Sequence, residues 1–416
     1  MHCGRGPWIF YVIGGASVQR EMRVLILSTW FPYPLSQGSK IRAYYLIKSL
    51  AERHDVALVS FEDVPLEPGS IDHMEQICRK VEVVHHNPFA RSRKKTLLGW
   101  LSQRPSVVLT SYCPEMAARV QHVASDWDPE CVIALTFITA PYALAVHGAP
   151  RIVDIDNLMW PMLKQAHRQA QDPFGRLRSW VAYWKFRQYE TWLYRQFDLG
   201  LVVSDRDRQA AVDLMGLHMS KVGVVPNGVD TSFHQPLPVE PKPNTLVYNG
   251  ALTYAANYDA MDYFLREIFP LIRAHVPETR LTITGATTDV PIAALPANGH
   301  VTFSGYLKDI RPEVSGSWVC VVPLRMGGGT RLKILEAMAL GTPVVSTSKG
   351  AEGLDIETGK HLLIGNTPSE FAAQTVRVLR EPGLRKSLGA QAAQLVKDRY
   401  DWANIGRRFC QLVENA

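Results

Sequence analysis

Gly327, Gly328 and Gly329 run into Arg331, Lys333 and Glu336 within the stretch MGGGTRLKILEAMALGTPVVS, Met326 to Ser346. Consecutive glycines let backbone N–H groups close on an anion. The first turn of a helix adds unpaired N–H groups and a partial positive charge. Cations at Arg331 and Lys333 would repel that end of a helix, so the pattern asks for an anionic ligand, and a phosphate suits it. Lys333 and Glu336 stand three apart and share one side of the helix. A plainer reading makes the glycines a flexible turn and the two cations solvated charges.

The surrounding elements follow from local chemistry. Trp318–Val322 is a short apolar run rich in branched residues, as in a buried parallel strand. Pro323 to Gly329 forms the loop, and Thr330 suits an N-cap because its hydroxyl accepts from the first N–H groups. A helix is predicted over Arg331–Leu340, with Leu332, Leu335 and Ala339 on one face. Gly341 stops it, Pro343 follows, and TPVVS begins the next strand.

The same alternation runs along the whole chain. Strands are predicted at Val24–Ser28, Val56–Phe61, Val81–His85, Cys131–Leu135, Arg151–Ile155 and Leu199–Val203, with a helix over Ile41–Arg53. A second series lies at Val222–Val225, Thr245–Asn249, Arg280–Thr284, Val301–Ser304, Trp318–Val322, Pro343–Ser346 and His361–Ile364. Strands alternating with helices imply parallel sheets covered on both faces. The Pro-rich stretch 236–243 is a surface segment, and the boundary is expected earlier, near Ser204, with Val222–Asp230 opening the second half. The expected organisation is an extension over 1–21, a first domain over 22–204, a second over 205–395 and a closing helix over 396–416. Ligands of two such doubly wound halves sit outside the C-terminal ends of the strands, in the cleft between them.

Composition narrows the class. The 416 residues are 46% hydrophobic and 20% charged, which fits a globular protein with ample core and two or three domains. A net charge of +6 favours an anionic ligand or an acidic membrane surface and is too small to imply nucleic acid. Six cysteines without a CxxC pair predict reduced thiols, no structural metal and a cytoplasmic setting. No apolar run reaches the length of a spanning helix. Trp8–Val18 is apolar and short; a weak signal peptide is one reading, an extension upstream of the strand at Met22 the preferred one. Phe174–Phe197 mixes Trp180, Trp184 and Trp192 with Arg176, Arg178, Lys185, Arg187 and Arg195. It reads either as a basic aromatic helix on an anionic membrane, at the inner face of the cytoplasmic membrane, or as a domain-surface helix. The second reading packs the aromatics inward and is the simpler expectation.

Several separated motifs now resemble one family, the group 1 retaining glycosyltransferases of GT-B fold. They are MRVLILSTWFPYPLSQGSK, LVVSDRDRQA, VGVVPNGVD, LVYNGALTYAANYDAMDYF, VTFSGYLKDI and GGGTRLKILEAMALGTPVVSTSKGAEGL. The resemblance spans residues 22 to about 410, and its last motif is the most specific. It implies two Rossmann-like domains facing a cleft, the second holding a nucleotide-diphosphate-sugar and the first an acceptor. It further implies that Arg331 and Lys333 pair with the diphosphate beside backbone N–H groups near Gly327, Gly328, Gly329 and Thr330. Glu336 would then bind ribose hydroxyls, which a carboxylate accepts well. Tyr306 and Leu307 would pack the base, Gly250 would belong to the donor pocket, and the Gly38 loop would approach from the first domain. Implied partners are a nucleotide-sugar donor and a glycan, lipid-linked or small-molecule acceptor, in polysaccharide or envelope biosynthesis, without metal or other cofactor.

The chain departs from the family pattern in three places. The first of two glutamates separated by seven residues is replaced by Gly328. The usual first-domain histidine is absent; RIVDIDNLMW offers Asp156 at the comparable position, as an orienting group or a strand-end turn residue. The second-domain Arg and Lys common near Thr245–Asn249 are also missing, and Arg331 and Lys333 could supply that charge. These gaps keep a catalytically weak nucleotide-sugar binding protein in view. A nicotinamide dehydrogenase would want GxGxxG after the first strand and a P-loop kinase GxxxxGK[ST]; neither is present.

Overall fold

The computed structural model describes residues 21–90, 102–169, 172–327, 329 and 331–416. The extension expected over 1–21 lies outside the described residues except for Glu21, as do Gly328 and Thr330.

Two parallel sheets carry the fold. The first contains β1 (Arg23–Ser28), β2 (Asp55–Phe61), β3 (Lys80–Val84), β4 (Cys131–Leu135), β5 (Arg151–Ile155), β6 (Leu199–Val202) and β7 (Val222–Val224), in the order β3-β2-β1-β4-β5-β6-β7. The second contains β8 (Lys242–Asn249), β9 (Arg280–Thr284), β10 (Val301–Gly305), β11 (Ser317–Val322), β12 (Val344–Ser346) and β13 (Leu363–Ile364), in the order β10-β9-β8-β11-β12-β13. Both are doubly wound, and each reverses direction once, at β1/β4 and at β8/β11. Crevices for ligands open there, at the C-terminal strand ends.

The central strands are continuous apolar runs because both faces are covered. Successive residues of β1 serve opposite layers: Leu25 and Leu27 join the core on one face, Val24 and Ile26 that on the other. The last helix, Trp402–Glu414, returns to the first domain. Its Trp402, Ile405, Phe409 and Val413 fall at helical spacing and pack with Leu46, Ile47 and Leu50 of the helix Gly38–Ala51.

Three expectations need correction. The boundary near Ser204 falls inside the first domain, because β7 pairs in parallel with β6, Gly200 beside Val222 and Val202 beside Val224. The chain crosses to the second sheet only after Val225. There it runs beside the returning segment: Val229 N–H donates to the Tyr400 carbonyl at 2.8 Å, and Thr231 N–H to Asp401 at 3.1 Å. The helix after the Gly-rich loop spans Leu332–Ala339, so Arg331 is its N-cap residue and not part of its first turn; Gly341, at φ +74°, ends it as expected. The long aromatic helix spans Pro173–Tyr194 and buries Phe186, Tyr189, Leu193 and Tyr194, yet leaves Trp180, Trp184 and Trp192 about half exposed, against the inward packing expected of them. Among the described residues no helix is long and apolar enough to cross a membrane.

Candidate active site

The helix Leu332–Ala339 lies against the C-terminal end of β8, where the strand gives way to Asn249 and Gly250. Lys333 reaches back from its first turn. Its ammonium donates to the Tyr248 hydroxyl at 2.8 Å and to Asn257 Oδ1 at 2.9 Å, and stands 4.0 Å above the Tyr248 ring. These are neutral acceptors. Desolvation is the main cause that lowers the Lys333 pKa, to about 7, with repulsion from Arg331 adding to it. Tyr248 itself donates to Asn257 at 2.7 Å, and Asn257 donates to the Ala251 carbonyl at 2.7 Å.

Glu336, one turn on, accepts from Asn249 Nδ2 at 2.9 Å. Burial pushes its carboxyl pKa up, opposed by His234 and Lys333. Arg331 is buried, 8% exposed, beside Met326, Gly327 and Tyr254. Burial likewise lowers its pKa. The loop before the helix depends on left-handed backbone at Gly327 (φ +100°) and Gly329 (φ +74°). A Cβ at Gly250 would collide with the Lys333 ammonium, so a side chain there would displace the cation.

Across the cleft the first domain presents Gly38, the opening residue of the helix Gly38–Ala51. A Cβ on it would stand 3.4 Å from Leu332 Cδ1, so it approaches the helix Leu332–Ala339. Two turns of that helix hold Lys40, paired with Asp63 at 3.2 Å, and Arg42, paired with Asp154 at 2.6 Å; all four are buried. Arg42 also donates to the Val225 carbonyl at 2.9 Å and to Asn227 Oδ1 at 3.0 Å, tying the PNGVD turn to β5. Asp156, just past β5, is half-buried. Desolvation, then repulsion from Asp154, raises its pKa to about 6.

Arg331, Lys333, Glu336, Gly250 and Gly327 therefore converge, and Gly38 meets them from the other domain. Tyr306 and Leu307 stand apart at the end of β10, the edge strand, with Tyr306 73% exposed. Asp156 sits on the opposite, first-domain side. Sequence reading missed Tyr248, Asn249, Asn257 and Arg42. A usable signal existed for one of them: Asn249 is a polar residue ending a buried strand directly before a glycine. Gly285 was missed as well; at φ +110° a Cβ would approach Gly250 C at 2.6 Å, so it supports the Gly250 turn from behind.

Residues 36–233 match the family described as Glycosyltransferase Family 4, and residues 243–381 match Glycosyl transferases group 1. The chain belongs to the group 1 glycosyltransferases. It is 24% identical over 412 residues to a glycogen synthase of Mycobacterium tuberculosis, covering 94% of both chains. It is 21% identical over 395 residues to an uncharacterized 44.6 kDa protein in the cps region of Klebsiella pneumoniae, covering 91% of this chain and 96% of that one. Among solved structures it resembles sucrose-phosphate synthase from Thermosynechococcus elongatus, with TM-score 0.73, 16% identity and coverage of 94% and 98%. HepE of Anabaena in complex with UDP and glucose gives TM-score 0.66 at 15% identity, with coverage of 95% and 100%. At such identities these structures establish the GT-B fold of this glycosyltransferase.

Proposed function

We propose that this glycosyltransferase moves a hexosyl group from a nucleoside-diphosphate sugar to a hydroxyl of a glycan, lipid-linked or small-molecule acceptor, with retention of anomeric configuration. The observation that carries the proposal is Lys333: a desolvated ammonium held by neutral oxygens at the C-terminal strand ends, where a diphosphate would supply the missing charge. The UDP bound to HepE favours uracil as the base.

In this reading Arg331 and Lys333 hold the diphosphate with backbone N–H groups of Gly327 and Gly329, and the family resemblance assigns Gly328 and Thr330 to the same task. Glu336 accepts ribose hydroxyls, Tyr306 and Leu307 flank the base, and the Gly38 loop closes over the sugar. As the sugar–oxygen bond breaks, negative charge grows on the leaving diphosphate, and fixed cations stabilise it. The acceptor oxygen bonds the same carbon, and its proton passes to the departing phosphate oxygen, so no strong protein base is needed. Asp156 orients acceptor or sugar from the first domain. The reaction calls for no metal or cofactor beyond the donor, and polysaccharide or envelope biosynthesis at the cytoplasmic side is the setting it suits.

The test is a thermal-shift series with UDP-, GDP-, ADP- and TDP-glucose on the wild type and on Arg331→Ala/Lys333→Ala. A donor at 100 times its dissociation constant stabilises by about 2.7 kcal/mol. One nucleotide series is expected to shift the wild type and not the double variant. Absence of any shift in folded protein at saturating donor overturns the reading. A shift without turnover in any acceptor assay favours a weak nucleotide-sugar binder instead.

A further inference from the structure

The helix Pro173–Tyr194 carries a surface that the donor site does not use. Phe174, Leu177, Trp180 and Trp184 follow one another at spacings of three, three and four residues and are 66%, 57%, 49% and 52% exposed. At 3.6 residues per turn they form one apolar stripe about 120° wide. It lies away from the buried face of Phe186, Tyr189, Glu190 and Leu193. Arg178 and Lys185 fall along one flank of the stripe, Arg176 and Arg187 along the other. The helix has a single acidic residue, Glu190, and it is buried.

Charge is concentrated here. Residues 159–197 contain seven Lys or Arg and two acidic residues, a formal +5 of the whole chain's +6. The rest of the protein is close to neutral. An apolar stripe four side chains long, edged by cations and free of exposed acid along the helix, matches an anionic lipid surface in both its parts: rings enter the headgroup boundary and cations meet lipid phosphates. A protein partner recognised mainly by packing would not require the cationic edges.

We propose that this face seats the protein peripherally on an anionic phospholipid bilayer. The position also couples to the cleft. Glu190, on the buried side of the same helix, accepts from the backbone N–H of Met159 at 3.1 Å and of Trp160 at 3.4 Å. It thereby fixes the start of the helix Met159–Gln169, three residues beyond Asp156. The lipid-facing helix is thus anchored to the first-domain side of the site, where an acceptor embedded in the same bilayer would arrive.

The experiment is co-sedimentation of the full chain with vesicles of phosphatidylcholine containing 30 mol% phosphatidylglycerol, against pure phosphatidylcholine, at low and high salt. Binding is expected to the anionic vesicles only and to weaken with salt. Trp180→Ser/Trp184→Ser should lower the partition coefficient about tenfold, and Arg176→Gln/Arg178→Gln about thirtyfold at low salt. Both variants should keep the wild-type circular dichroism and the wild-type thermal shift with donor, which separates this proposal from the donor-site reading. No binding to anionic vesicles at low salt, or binding that the tryptophan variant leaves unchanged, overturns it. So does a wild-type dimer in light scattering that the tryptophan variant dissolves while neither protein binds vesicles, since the stripe would then meet a second copy.

Discussion

Gly38-Ser39-Lys40-Ile41-Arg42 and Gly329-Thr330-Arg331-Leu332-Lys333 are nearly the same local pattern, one in each domain. They face each other where Gly38 approaches Leu332. Their surroundings differ in one respect. Lys40 and Arg42 each meet a buried carboxylate, Asp63 and Asp154. Lys333 meets a phenol and an amide. The first pair is neutralised within the protein and serves to join the Gly38 helix to β5 and the interdomain crossing. Among the described residues Lys333 hydrogen-bonds no carboxylate; desolvation dominates and leaves its pKa lowered, although Glu336 draws it upward, so a bound anion would favour the charged form. A glycine followed by alternating cations therefore does not define an anion site; the chemistry of the groups around the cations does.

Breaking the first pair should show the larger stability effect. Arg42→Met leaves Asp154 buried without its cation, and removal of one partner from a buried pair costs about 3–5 kcal/mol. Urea unfolding should register that loss, while the surviving folded protein still shifts with donor. A stability change below about 1 kcal/mol would mean that the two cation sets are not different in kind.

Lys333→Met tests the other side. The rate of nucleoside diphosphate release per donor should fall about 10²–10³-fold, the usual cost of losing one group that stabilises developing charge. Stability of the empty protein should not fall correspondingly, because Tyr248 keeps its bond to Asn257. A large stability loss with unchanged turnover would make Lys333 structural, like Arg42.

The smallest effect concerns pH. Lys333 titrates near 7 in the folded, empty protein and near 10.4 when unfolded. Between those values the unfolded chain binds the extra proton, so this residue makes the empty fold more stable as pH rises from about 7 toward 10. A diphosphate favours the charged ammonium and raises its pKa. Donor binding above pH 7 should then take up close to one proton, and affinity should weaken as pH climbs. Calorimetry at pH 8 in two buffers of different ionisation enthalpy measures the uptake, and Lys333→Met should abolish it. Equal uptake in the variant would assign the proton elsewhere.

Much of this fold was readable from the chain. Cys131–Leu135, Arg151–Ile155 and Arg280–Thr284 have the bounds expected of them, because a buried parallel strand is a short apolar run with turn residues at both ends. Val222–Val224 was legible as a strand and misassigned to the second domain: three residues do not reveal which sheet edge they extend. The aromatic helix failed for a related reason. Its apolar residues cover too much of the circumference for periodicity to say which face the core takes. On the donor side, the shared orientation of Lys333 and Glu336 followed from their spacing.

The sequence by itself determined the two parallel α/β halves, the Gly-rich loop and the residue types Arg331, Lys333 and Glu336 on a short helix, since these rest on local periodicity and backbone freedom. Only the tertiary structure decided that Asp154 and Asp63 neutralise one set of cations, that Tyr248 and Asn257 hold Lys333, and that Trp180 and Trp184 face outward. Those outcomes depend on groups brought together from strands and helices far apart in the chain, and the charge state of a buried side chain is set by whatever lies within a few ångströms of it in space.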